Sequence, residues 1–281
     1  MFVIFKRRLF KNWLMILGWG IGLGVLGYYL FNIFNTFFQR DVDLMQLFNA
    51  YPEDLMAFFS GDVDLFTPSG FLQLEFFSYM PIVLGIMVIS AAASLISKDE
   101  EEGVLELIVA QPISRIKVFS GRLIALILSV VLILTITWVG FALGAHLNNF
   151  DLSPAELARP FISLFAILMV FLNLSVLLSM ILPGSNSASM ISGFILIASY
   201  FISSLVNLDE KLEGINRFSP LKYYQGGTAV ESLDTQKLAL LLGLSLVFII
   251  FAMIVFEKRD LRFGGSGGFR LVFSKKGGSK Q

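Results

Sequence analysis

The chain has 281 residues, 21 basic against 21 acidic, and is 56% hydrophobic with a mean hydropathy of +0.78, so a soluble domain is excluded and part of its solvent is lipid. The absence of cysteine excludes disulfides, thiol catalysis and Cys-ligated metal, and a single histidine, His146, excludes a His-rich metal site. Zero net charge offers no bulk attraction for nucleic acid, and no nucleic-acid partner is expected.

Residues 1–12 set Phe2, Phe5, Leu9 and Phe10 among Lys6, Arg7, Arg8 and Lys11. The pattern predicts an amphipathic helix at the inner membrane interface with its cations towards lipid phosphate. No small-residue cleavage site follows, so this is read as a retained anchor and not a removed signal peptide. Charge-free intervals then predict six spans at about 13–34, 76–97, 123–147, 161–182, 188–206 and 238–256. Each is close to the roughly 20 residues that cross about 30 Å of hydrocarbon. The fourth and fifth are divided by Pro183-Gly184-Ser185-Asn186-Ser187. The fold class expected is an all-α membrane protein with an N-terminal elbow helix and short helices in the outer loops. Residues 1–263 form one membrane domain, and 264–281 form a flexible basic tail opened by Gly264-Gly265-Ser266-Gly267-Gly268.

An even number of spans puts both termini on one side. That side carries 15 Lys and Arg against 6 opposite, which places the termini in the cytoplasm of a multi-pass protein of the cell membrane. In the first span Gly18/Gly22 and Gly20/Gly24 are both G-x-x-x-G pairs, which let helix backbones approach closely in lipid. They are read as packing within the chain or across a dimer. The first outer loop repeats Asp at 41/43 and 62/64, but Phe66 occupies the next ligand position of a calcium loop, so a solvated cap is the better reading. Pro52-Glu53-Asp54 there reads as a helix start. Glu75 reads as an exposed helix-start acid, and His146, near the outer end of the third span, as structural. No charged residue falls in the middle of a span, which argues against an ion-coupled carrier and suits amphipathic or apolar cargo.

The segment between the second and third spans departs from the usual cytoplasmic pattern, because it opens with Asp99-Glu100-Glu101-Glu102. Ser97 and Glu100 have the spacing of a capping box, and the acids would sit at the positive end of a helix dipole. Glu102 and Glu106 share a face one turn apart. Gln111-Pro112 interrupts the helix, and Ser114 can cap a new one that carries Arg115 and Arg122 into the third span. The pattern is helix, break, helix: an elbow under the membrane. A connector resting on an anionic leaflet would favour Lys and Arg, so the acidic face points to a protein partner with basic residues.

The stretch Glu101-Glu102-Gly103-Val104-Leu105-Glu106-Leu107-Ile108-Val109-Ala110-Gln111-Pro112-Ile113-Ser114-Arg115, followed by Gly121-Arg122, resembles the cytoplasmic loop of ABC transporter permeases of the type-two (exporter) family. There an E-G-T-L-E-L-L-L-x-x-P-I-S-R segment and a G-K follow the second span; Val104 stands for the Thr and Arg122 for the Lys. Phe218-Ser219-Pro220-Leu221-Lys222-Tyr223-Tyr224 resembles the family's S-P-x-x-Y before the last span, and Arg259-Asp260-Leu261 its R-R-D-L ending.

The resemblance implies that the elbow is a coupling helix gripped by a separate ATP-binding cassette ATPase subunit. Its contacts would be Glu101, Glu102, Gly103, Glu106, Gln111, Pro112 and Arg115. It implies a homodimer of permease chains, with no cofactor in this chain and with ATP and Mg on the partner. The sequence holds no G-x-x-x-x-G-K-[ST], so it has no P-loop of its own and is not expected to be an enzyme. A CAAX-type intramembrane protease would need Arg where Glu106 stands and several histidines. A secondary carrier would need an intramembrane charge.

Overall fold

A computed structural model of the protein describes residues 2–39, 58, 67–95 and 115–258. The described residues form helices and turns, with no strand among them. Helix α1 covers Phe2–Lys11 and α2 Trp13–Gln39. Helix α3, Pro68–Leu72, continues through a π-helical turn at Gln73–Phe77 towards α4, Met80–Ala93. Then come α5 (Arg115–Leu147), α6 (Pro154–Ile181) and α7 (Ser185–Leu205). A connection of short turns that includes α8 (Glu213–Asn216) leads into α9, Thr235–Lys258. Six of these stretches are long and apolar enough to cross a membrane, the second being α3 to α4 taken together.

The helix starts follow local chemistry. Thr67 caps α3 by accepting from the Gly70 amide at 3.1 Å, with Pro68 in the first turn, where its missing N–H costs nothing. Ser153 and Glu156 close a full capping box on α6, again with Pro in the first turn. The link between α6 and α7 is only residues 182–184, and Gly184 sits at φ 81°, where a side chain would be strained.

Helix α6 is the central post. Of its most apolar window 72% is buried, against 22% for α9, which packs along one side of it. With no water in hydrocarbon, polar side chains between spans tend to pair with one another or with backbone, although the buried Ser192 hydroxyl makes no hydrogen bond. Asn173 donates to Ser245 Oγ of α9 at 2.7 Å, and the Ser175 hydroxyl donates to Ile89 O of α4 at 2.9 Å. Near one end of the bundle Phe76, Phe77, Phe141 and Phe161 form an aromatic knot, with ring centroids 4.7 Å apart for Phe76 and Phe141 and 5.2 Å for Phe141 and Phe161.

Helices α2 and α5 run parallel and nearly touch backbone to backbone. A Cβ on Gly20 would come within 2.9 Å of Ile136, and one on Gly24 within 3.2 Å of Ile136 O. From the other side, a Cβ on Gly140 would overlap the Gly24 backbone, and one on Gly144 would come within 2.9 Å of Tyr28 Cα. Gly18 and Gly22 lie on a different face of α2, where an added Cβ would meet nothing within 4 Å among the described residues. The two overlapping glycine pairs therefore belong to two separate faces.

Candidate functional site

Residues 96–114, and with them Glu101, Glu102, Gly103, Glu106, Gln111 and Pro112, lie outside the described residues, as do Asp41, Asp43, Asp62, Asp64 and the tail. Arg115 opens α5. What the structure does give is the frame from which that segment departs and to which it returns. The Arg122 guanidinium donates to Leu95 O at 2.9 Å, so a charged donor from the second turn of α5 satisfies a carbonyl that the end of α4 leaves open. Phe119 stacks on Phe256 at 5.2 Å and 27° between planes, which ties the same part of α5 to the end of α9.

Helix α5 has 33 residues and is therefore about 50 Å long, well beyond the roughly 30 Å of hydrocarbon. Its surplus lies largely at the N-terminal end. Asn12, just before α2, donates to Ser129, about 20 Å up from the start of α5. Arg115, Lys117 and Arg122 all fall on this extension, where α1 packs across it. Both chain ends of the described bundle, α1 and the end of α9, thus gather where residues 96–114 attach.

The opposite end is closed by a different device. The 3-10 turn Gly226–Val230 tucks beneath the start of the second span. Gln73 Oε1, on the π-helical turn, accepts from the Gly227 amide at 2.6 Å, and the Ser69 hydroxyl donates to Glu231 at 3.0 Å. Arg159 of α6 donates to the carbonyls of Val230 and Glu231 at 2.8 and 3.0 Å. The buried Gln225 holds its own loop shut: its side chain donates to Asp234 O at 3.1 Å and accepts from the Asp234 amide at 2.7 Å. A π-turn meeting a polar network is a common mark of a working part of a helix.

The Ser219-to-Tyr224 motif builds the floor of this closure. Pro220 starts a 3-10 turn, Ser219 donates to Ser199 O at 3.2 Å, and Lys222 pairs with Glu213. Tyr224 donates to Phe77 O at 3.0 Å, and burial pushes its phenol well above the usual value, so it remains a neutral donor. Sequence reasoning did not find Gln73, Arg159, Gln225 or Gly227. The Gly226-Gly227 pair was their one visible signal, because close backbone approach needs glycine.

The family model described as "Multidrug efflux system permease Rv1217c, C-terminal domain" matches residues 10–257, most of the chain. The chain belongs to this family. No curated protein matches it. The matched region starts within α1 and ends in the last turn of α9, so it takes in all six long apolar stretches of the permease except the final residue, Lys258. The protein is a multi-pass transport permease and not a member of an enzyme family. Glu75 and His146 of the permease are exposed, Glu75 on the π-helical turn and His146 in the last turn of α5.

Proposed function

We propose that this permease is the membrane subunit of an ATP-driven ABC exporter and that it borrows its motor from a separate ATP-binding cassette ATPase. The observation that carries the reading is the family match over residues 10–257, joined to a sequence with no P-loop of its own. The acidic segment 97–115 is the grip: Glu101, Glu102, Gly103, Glu106, Gln111, Pro112 and Arg115 meet the ATPase. The N-terminal extension of α5, tied to α4 by Arg122 and to α9 by Phe119, favours this, since a push on the segment has a stiff element to act on. ATP and Mg belong to the partner. A nucleotide shifts the permease only to the extent that the grip binds two ATPase states unequally.

The termini and the grip are cytoplasmic in this reading, by the charge bias of the loops. A second permease chain, most simply an identical one, completes the exporter. The open Gly18/Gly22 face of α2 supports such a contact, because it has the spacing for close helix approach and an added Cβ there meets nothing within 4 Å among the described residues.

The test is to co-purify the permease with its ATPase and to reverse the charge of the grip with Glu102→Lys and Glu106→Lys. Membrane insertion is expected to be unchanged, whereas transport falls to background and the permease no longer alters ATP turnover. Normal stimulation of the ATPase by the double variant would refute the docking assignment.

A further inference from the structure

Between α5 and α6, within stretches long and apolar enough to cross a membrane, a groove of about 300 Å³ opens at the surface of the bundle. Its floor is Leu134 and Phe161, both buried, and its rim includes Val131 and Ile162, which are exposed. Trp138, Ala158 and Phe165 complete the walls. No charged residue lines it.

Three features describe what it would hold. First, the two polar side chains of the wall are already engaged by backbone: the Thr135 hydroxyl donates to Val131 O at 2.8 Å and the Trp138 indole to Pro154 O at 3.0 Å. An occupant therefore finds no donor waiting to be matched, and loses none of its own hydration if it has no polar group to bury. Second, the lining runs only from residue 131 to 138 on one helix and 158 to 165 on the other. That is about 10 Å on each, shorter than the roughly 15 Å of one lipid leaflet's hydrocarbon. The link from Trp138 to Pro154 bars the end nearer the connection between the helices. A full acyl chain overruns such a space, and a compact body fits it. Third, three of the wall and floor residues are aromatic, which favours edge and offset contact with another ring. The volume sits at the lower end of the roughly 300–1,000 Å³ typical of small-molecule sites.

We propose that this groove is a binding site for compact aromatic compounds dissolved in the bilayer, of the size of two linked or fused rings. The inference builds on the reading of the chain as an efflux permease for apolar cargo, because it gives such cargo a place to leave the lipid. Binding itself needs neither ATP nor a partner, so the two readings fail separately.

The chain has three tryptophans. Replacing Trp13 and Trp19 by Phe leaves Trp138 as the sole emitter in full-length permease reconstituted in liposomes. Titration with 4-bromobiphenyl, whose bromine quenches on contact, is expected to give saturable quenching above the linear background of probe in lipid. Filling the groove with Ala158→Phe is expected to raise half-saturation by roughly tenfold or more. Thr135→Phe does the same from the other helix, should the first variant fold poorly, and Ile21→Phe on the outer face of α2 leaves the curve unchanged. Quenching that rises linearly without a plateau, or a plateau that both filling variants leave in place, overturns the site. A plateau with no accompanying ATP-dependent efflux of the compound sustains the site and refutes it as an entry point for cargo.

Discussion

The two ends of the bundle are held by different physics. At the end that contains Gly226–Val230, side-chain and backbone hydrogen bonds from α3, the π-helical turn and α6 converge on one short turn, and glycine lets the backbones meet. At the end where residues 96–114 attach, the described ties include the Arg122 guanidinium on a helix-end carbonyl, the stacked rings of Phe119 and Phe256, and the Asn12 amide on the Ser129 hydroxyl. Directional bonds to backbone fix a geometry, while apolar and single-donor contacts tolerate sliding. The first end is knit by several bonds onto one turn, and the second by contacts spread over α1, α4, α5 and α9.

The most damaging change expected is Gly227→Leu. A Cβ there would lie 2.8 Å from both Gln73 N and Ser69 O, which are backbone atoms and cannot step aside. A loss of about 3 kcal/mol is expected, read as a lower unfolding midpoint in detergent, while Gly214→Leu, with nothing within 4 Å of its Cβ among the described residues, serves as the quiet control. If both variants unfold alike, the closed end is not held by that turn. Next in size is Arg122→Ala, which leaves Leu95 O without its charged donor. A cost of about 1–2 kcal/mol is expected, with faster amide exchange confined to the end of α4 and the start of α5, and Arg122→Lys recovering part of it. Faster exchange at Gly227 in the same variant would erase the distinction between the ends.

The smallest effect concerns Glu213, whose carboxyl is held below the usual value first by its hydrogen bond to Lys222, with the lysine's charge adding to it. A depressed carboxyl contributes stability that is whole above its ordinary value of 4.5 and fades as pH falls through the lower folded value. Glu213→Gln should therefore separate from the parent protein in thermal unfolding above pH 4.5 and converge with it below. Curves that diverge on acidification would remove the pair from the account.

Six spans were legible because lipid admits few charges, so charge-free intervals count crossings directly. The helix ends were not. Arg115, Lys117 and Arg122 lie inside α5, and Glu156 and Arg159 inside α6, since a helix continues past the hydrocarbon wherever a neighbour or a cap sustains it. The first-span glycines were read as packing residues, but spacing alone could not tell which face each pair occupied. The matching signal is Gly140 and Gly144 at the same spacing in the third span. Gln73 and Gln225 left no trace, because a lone uncharged amide has no period and no charge to betray its partner. The acidic segment itself lies outside the described residues, and its role rests on the family and on the charge pattern.

The seam of Gly24 against Gly140 has a mechanical consequence. Backbones that meet without intervening side chains leave no soft layer to absorb slip, so α2 and α5 behave as one beam. A tilt of about 5° in a rod about 50 Å long swings its far tip by about 4 Å. If the proposed ATPase grip pushes at the foot of α5, the push would arrive at the other end of the bundle as the displacement of a paired strut, with α1 drawn along behind it.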